Sequence, residues 1–102
     1  MNIDIEKGKR EQVRWLVLKT LDAARPLGAP ETLVLTCITD QDMRVTTLEL
    51  RRELDYLEDR GLIELNRGDR PVWMAQLTRA GVDVVEYTVE CEPGIARPQK
   101  YW

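Results

Sequence analysis

The clearest pattern of apolar and polar positions along the chain runs from Val45 to Leu65. Three leucines recur there at helical spacing and form one apolar stripe. They are Leu50, Leu54 and Leu57. Thr46, followed three residues later by Glu49, has the signature of a capping box, and Gly61 tolerates the left-handed conformation that ends a helix. Two apolar residues after this glycine begin a strand, so the stretch predicts a capped helix that leads directly into a sheet.

Two more helices are predicted before the capped one. Residues 9 to 25 carry apolar residues at helical spacing. These are Val13, Leu16, Val17, Leu21 and Ala24. The prolines and glycine of residues 25 to 30 break this helix, and Pro30 with Glu31 suits the start of a second helix. The inward side chains of the second helix should be Val34, Cys37 and Ile38. The polar residues 40 to 44 then turn the chain.

The periodicity changes from helical to alternating after the capped helix. Residues 62 to 65 and 72 to 77 are β-prone runs joined by a turn around Gly68, which predicts a hairpin. Thr78 can cap a last helix over residues 79 to 89. Its inner face should consist of Val82, Val85 and Val89.

This order of elements predicts an α+β, mainly α fold, a winged helix-turn-helix with a two-stranded wing and a C-terminal helix. Residues 1 to 90 would form the winged-helix domain and residues 91 to 102 an extended C-terminal tail. The tail contains prolines and a glycine but also Ile95, Tyr101 and Trp102, so we expect it to lie on the domain or on a partner. A length of 102 residues, 43% of them apolar, fits one domain with one modest core.

The apolar surface of the first helix is wider than a three-helix core needs. Trp15 and Leu18 extend it to one flank. Because pairing would bury this surplus, we expect a homodimer that forms through the first and last helices.

A winged helix suggests binding to double-stranded DNA, and the charge distribution bears on this hypothesis. The net charge of −3 counts against strong non-specific binding to a polyanion and leaves a local basic patch as the route. Residues 46 to 60 hold three basic and five acidic side chains, whereas residues 61 to 79 have a net charge of +1. We therefore expect the arginines beside the hairpin turn to contribute to DNA binding together with the capped helix.

The outward face of the capped helix should consist of Leu48, Arg52, Asp55, Tyr56 and Asp59. In a DNA-reading helix such a face enters the major groove, where arginine can donate two hydrogen bonds to guanine. The candidates for the major groove are Arg51, Arg52 and Tyr56. We expect Thr47 near a phosphate and Arg67 and Arg70 on the DNA backbone.

The same face supports an alternative from a different class. Leu48 and Tyr56 flank Arg52, and tyrosine and arginine are enriched in protein-binding hot spots. The chain would then be a protein-protein interaction adaptor on a winged-helix scaffold that does not bind DNA.

The residue inventory gives no support to catalysis or metal binding. The chain has no histidine, and Cys37 and Cys91 lie far apart without a CxxC motif, so no zinc site, disulfide or other cofactor is expected. Neither a phosphate-binding glycine loop nor a GxSxG motif is present, and we expect no enzyme. The polar N-terminus and the lack of a long apolar run predict a protein of the reducing cytoplasm without a membrane segment.

Three runs together resemble a small winged-helix protein of Mu-like phages and prophages, often labelled an ArsR-like regulator. They are VTTLELRRELDYLEDRGLIEL, LTRAGVDVVEYTV and PGIARPQKYW, and the likeness extends from the connector ARPLGAPETL to the last tryptophan. The resemblance implies a phage-encoded DNA-binding protein, a transcriptional regulator, in the cytoplasm of a bacterial host. Under the alternative, its partner would be a phage or host protein. ArsR-type metal sensors carry cysteine and histidine ligands, which this chain does not place near the capped helix.

Overall fold

The structure is a computed structural model that describes residues 3–100. Its elements are, in chain order, α1 (Ile5–Ala23), β1 (Ala29–Pro30), α2 (Glu31–Thr39), α3 (Thr47–Asp59), β2 (Ile63–Asn66), β3 (Met74–Leu77) and α4 (Arg79–Val85). The described part is therefore an α+β fold in which helix predominates. This coarse class is the one that the sequence predicts.

Helix α3 forms where the sequence predicts it, with the predicted capping box at its start and the predicted glycine after its end. The Thr46 hydroxyl accepts a hydrogen bond from the Glu49 backbone N–H, and the Glu49 carboxylate accepts one from the Thr46 N–H, both at 3.0 Å. Gly61 adopts φ +76°, beyond the last helical residue. The predicted leucine stripe is fully buried. The capping box and the leucine periodicity are thus confirmed.

Helix α1 begins four residues earlier than the apolar pattern indicates and ends at Ala23. The early start is explained by Asp4, whose carboxylate accepts a hydrogen bond from the Lys7 N–H at 3.0 Å. The first turn of α1, which Asp4 caps, therefore lies before the apolar stripe and is not part of it. Leu18, which the sequence places on a flank, is fully buried in the core.

The strands form one antiparallel sheet in the order β1-β3-β2. The hairpin of β2 and β3 is confirmed, with Ile63 opposite Leu77. Strand β1, which has only two residues, was not predicted; it pairs with β3 so that Ala29 lies opposite Ala75. Gly28 permits this pairing, because a Cβ on it would lie 2.4 Å from the Ala75 carbonyl oxygen.

Helix α4 is shorter than predicted. Thr78 caps it by accepting a hydrogen bond from the Gly81 N–H at 3.1 Å, as expected. The helix ends at Val85 because Tyr87 adopts a left-handed conformation, with φ +62°. Val89 therefore lies beyond the helix and is 45% exposed, so its predicted place on the inner face is wrong.

The core lies between the helices and the sheet, and it includes part of the tail. Ile95 belongs to the buried cluster, and the Ala96 N–H donates to the Glu11 carbonyl at 3.1 Å. The first part of the tail therefore packs on α1. Tyr101 and Trp102, which we expected to do the same or to meet a partner, lie outside the described residues. Among residues 3–100, none of the helices has the length and apolar character that crossing a bilayer requires.

Candidate nucleic-acid interface

The exposed face of α3 differs from the predicted one at a single position. Thr47, Leu48 and Arg52 are exposed, and so are Asp55 and Asp59. Leu48 is 61% exposed. Within residues 3–100 the Arg52 guanidinium makes no hydrogen bond or ion pair. The pKa of Glu49 is lowered chiefly by its hydrogen bonds with Thr46, and the charges of Lys9 and Arg52 act in the same direction. The face therefore presents one arginine without a direct acidic partner.

Tyr56 lies at the flank of the exposed face of α3, against α1 and the tail. The Arg14 guanidinium carbon is 3.6 Å from its ring centroid, and Arg60 donates a hydrogen bond to its hydroxyl. Gly94 of the tail comes so close that a Cβ on it would be 2.2 Å from this hydroxyl. The predicted outward position of Tyr56 is thus not observed, because the 100° step from Asp55 turns its side chain towards α1.

Arg51 is paired with a buried carboxylate, and its own side chain is 30% exposed. Its Nε and Nη2 atoms donate to the two carboxylate oxygens of Glu31 at 2.7 and 2.8 Å, and Nη2 also donates to the Pro71 carbonyl at 2.7 Å. The Glu31 side chain, 3% exposed, accepts a further hydrogen bond from the Trp73 N–H. Arg51 holds the pKa of Glu31 below its ordinary value, and Glu31 raises the pKa of Arg51. This pair ties α2, α3 and the segment before β3 together.

The segment between β2 and β3, residues 67–73, is called the hairpin loop here. At its start Arg67 forms ion pairs with two carboxylates of α3, those of Asp55 and Glu58. These carboxylates raise the pKa of Arg67, with Glu58 as the larger cause. The guanidinium carbon of Arg67 also lies 4.5 Å from the Trp73 ring centroid. Arg67 therefore links the loop to the exposed face of α3.

Arg70 lies near the tip of the hairpin loop, two residues after Gly68, which adopts φ +43°. Its side chain is exposed and makes no hydrogen bond or ion pair with any residue of the described part. Among residues 3–100, Arg52 and Arg70 are thus the two predicted DNA contacts that keep a guanidinium without a direct acidic partner.

Comparisons with known proteins were made for the whole chain. No family model, curated protein or solved structure matches it.

Sequence reasoning missed the role of Glu31 and of Trp73. Glu31 was interpreted as a favourable charge at the start of a helix, yet it is buried and paired with Arg51. The signal in the sequence is weak, since Glu31 and Arg51 are 20 residues apart and lie on different helices. The Trp73 ring centroid lies 4.5 Å from the guanidinium carbon of Arg51 and 4.5 Å from that of Arg67. No local pattern in the sequence indicates these contacts.

A second surface feature is an open apolar groove of about 520 Å³ between α1 and α2. Trp15 and Leu16 line one wall, and Leu33 and Cys37 line the other. Trp15 also packs edge-on against Tyr87, at 6.3 Å between ring centroids. Because Leu18 is in the core, less apolar surface is left for pairing than the sequence suggested. The homodimer stays a prediction.

Proposed function

We propose that the chain is a winged-helix protein that binds double-stranded DNA with the exposed face of α3 and with the hairpin loop as its wing. The element order supports this assignment, since two short helices joined by a turn lead into an antiparallel hairpin. In helix-turn-helix proteins the second of these helices lies in the major groove. The observation that carries the proposal is that Arg52 on α3 and Arg70 on the loop keep guanidinium groups without a direct acidic partner in the part of the chain that the structure describes.

The two arginines are assigned different roles. Arg52, on a helix face, is suited to donate to base edges in the major groove, with the exposed Thr47 near a phosphate. Arg70, on a loop, is suited to the DNA backbone. Arg51 and Tyr56 are not included, because both are occupied by contacts within the protein.

The Arg51–Glu31 pair supports the interface indirectly. It joins α3 to the segment before β3, so the helix and the loop keep a defined relative position. A rigid arrangement of this kind lowers the entropic cost of binding two parts of a duplex at once.

The test is a titration of a mixed-sequence DNA duplex at about 50 mM salt, where non-specific binding is strong. Arg70→Ala should weaken binding about fifteenfold at this salt and reduce the salt dependence by about one phosphate contact. Arg52→Ala, which removes a donor to base edges, should weaken binding at least about fivefold. Arg79→Ala is the matched control, since Arg79 is exposed on α4 and the same charge is lost. Equal effects from all three variants, or no binding at this salt, would refute the proposal.

A second candidate function, a protein-interaction adaptor, is favoured by Leu48. Leu48 is 61% exposed beside Arg52. Apolar surface of this kind is buried in the core of protein interfaces, whereas protein–DNA interfaces are more polar. If the duplex titration leaves the amide signals of α3 and the hairpin loop unchanged, this candidate replaces DNA binding.

A further inference from the structure

The ion pairs of Arg67 have a geometry that bears on how strongly the hairpin loop can bind DNA. The Nη2 atom of Arg67 donates to Asp55 and, at 3.1 Å, to Glu58, and its Nη1 atom is 3.4 Å from the second Glu58 oxygen. Carboxylate oxygens thus occupy the Nη1–Nη2 edge of the guanidinium, which is one of the two edges that can hold a phosphate. As long as these contacts persist, Arg67 cannot donate to a phosphate with the same atoms.

These pairs lie at the surface, where ion pairs are weak. All three side chains are more than one third exposed. A phosphate can therefore replace the carboxylates, but the replacement leaves two carboxylates without a partner near a polyanion. A phosphate can thus displace the two carboxylates from Arg67, but the repulsion between the freed carboxylates and the DNA opposes this displacement.

The hairpin loop does not depend on these pairs alone for its position. Arg51 donates to the Pro71 carbonyl, and the buried Glu31 carboxylate accepts from the Trp73 N–H, so two hydrogen bonds that do not involve Arg67 hold the far end of the loop. Removing the two surface carboxylates should therefore leave the fold intact.

We propose that Asp55 and Glu58 compete with DNA phosphate for Arg67 and so reduce the affinity of the chain for DNA. This inference rests on the proposed function. Arg67 would be a phosphate contact that is occupied internally and is exchanged when a duplex binds. The chain would then discriminate against weakly held, non-specific duplex, because the exchange must be compensated by other contacts.

The test compares the chain with the double variant Asp55→Asn, Glu58→Gln, whose side chains keep their shape and lose their charge. Duplex affinity is measured by fluorescence anisotropy from 50 to 200 mM salt. One added phosphate contact steepens the slope of log K against log salt by about 0.9, which corresponds to about eightfold tighter binding at 0.1 M salt. Circular dichroism and thermal melting check that the variant is folded.

Two controls separate this mechanism from a general change in charge. Glu86→Gln with Glu90→Gln makes the same change of two charges at exposed positions at and beyond the end of α4, and should alter affinity less than twofold. Adding Arg67→Gln to the first double variant should abolish most of its gain, because the released donor is then missing.

The outcomes distinguish the inference from the function on which it rests. Tighter binding with a steeper slope that depends on Arg67 supports both, even if the original chain binds too weakly to measure. Binding by the original chain with no gain in the double variant, or with an equal gain in the control, overturns the inference and leaves DNA binding in place. Absence of binding by every variant at 50 mM salt overturns both.

Discussion

The Glu31 carboxylate of α2 bonds to α3 and to the segment before β3, and Glu31→Ala removes this acceptor. The side chain of Glu31 accepts two hydrogen bonds from Arg51, at 2.7 and 2.8 Å, and one from the Trp73 N–H. All three donors would lose the Glu31 carboxylate, and only Nη2 of Arg51 would keep another acceptor, the Pro71 carbonyl. The residue itself is only 2% exposed, so water cannot take its place without a rearrangement.

The expected magnitude follows from the burial of the two partners. Removing one member of a buried ion pair costs about 3–5 kcal/mol, because the other charge stays behind without compensation. The Arg51 side chain is 30% exposed and keeps its hydrogen bond to Pro71, so hydration should limit the loss to about 3 kcal/mol. A domain of this size has a total stability of about 5–15 kcal/mol, and its melting temperature should fall by about 12–24 °C.

The free energy of unfolding is measured by urea titration, with tryptophan fluorescence and circular dichroism as two probes. A double-mutant cycle with Arg51→Ala isolates the pair, and we expect a coupling of about 1.5–3 kcal/mol. Glu90→Ala, at an exposed position, is the control and should change stability by less than about 0.5 kcal/mol. A loss below about 1 kcal/mol for Glu31→Ala, or additive single effects in the cycle, would refute the reasoning.

The pH dependence of stability gives an independent check on the same pair. The pKa of Glu31 in the folded chain lies below its ordinary value of 4.5, chiefly because Arg51 donates to the carboxylate. The stabilisation is therefore fully present above about pH 4.5 and is lost as the pH falls below this value. The stability difference between the original chain and Glu31→Gln should narrow as the pH is lowered from about 5 to 3. A difference that stays constant over this interval would contradict the assignment.

Four further outcomes are expected. Gly94→Ala should destabilise the chain by about 1–3 kcal/mol, because a Cβ would collide with the Tyr56 hydroxyl and because the φ of Gly94 is +111°. The loss should be detected as faster amide exchange in the tail. Thr46→Ala should cost about 1 kcal/mol in urea unfolding through loss of the α3 cap, with Thr47→Ala as a nearly neutral control. Gly8→Ala, in the open on α1, should stabilise by about 0.5–1 kcal/mol. Sedimentation at high micromolar concentration tests the homodimer, which a clean monomer would exclude.

The elements that the sequence predicted well depend on residues within one or two helical turns. The capping box of Thr46 and Glu49, the stop at Gly61 and the cap at Thr78 need only neighbouring backbone groups. The leucines of α3 are buried because their spacing leaves one apolar face. Such local signals were sufficient for the class of fold and for most of the element order.

The sequence missed one strand that depends on a distant partner and one helix end that depends on a local backbone conformation. Strand β1 is two residues long and is defined by its pairing with β3, so no periodicity marks it. The end of α4 is set by the left-handed conformation of Tyr87, although the valine pattern continues past it. In both cases a tertiary contact or a backbone conformation outweighed the local pattern.

The candidate interface also combines properties that the sequence shows with contacts that only the tertiary structure shows. The sequence by itself determined which arginines are available and that α3 carries more acidic than basic residues. Only the tertiary structure decided how these charges combine, because burial and distance set the strength of each pair. It assigned Arg51 to Glu31 inside the protein and Arg67 to Asp55 and Glu58 at the surface, and it left Arg52 without an ion pair in the described part of the chain.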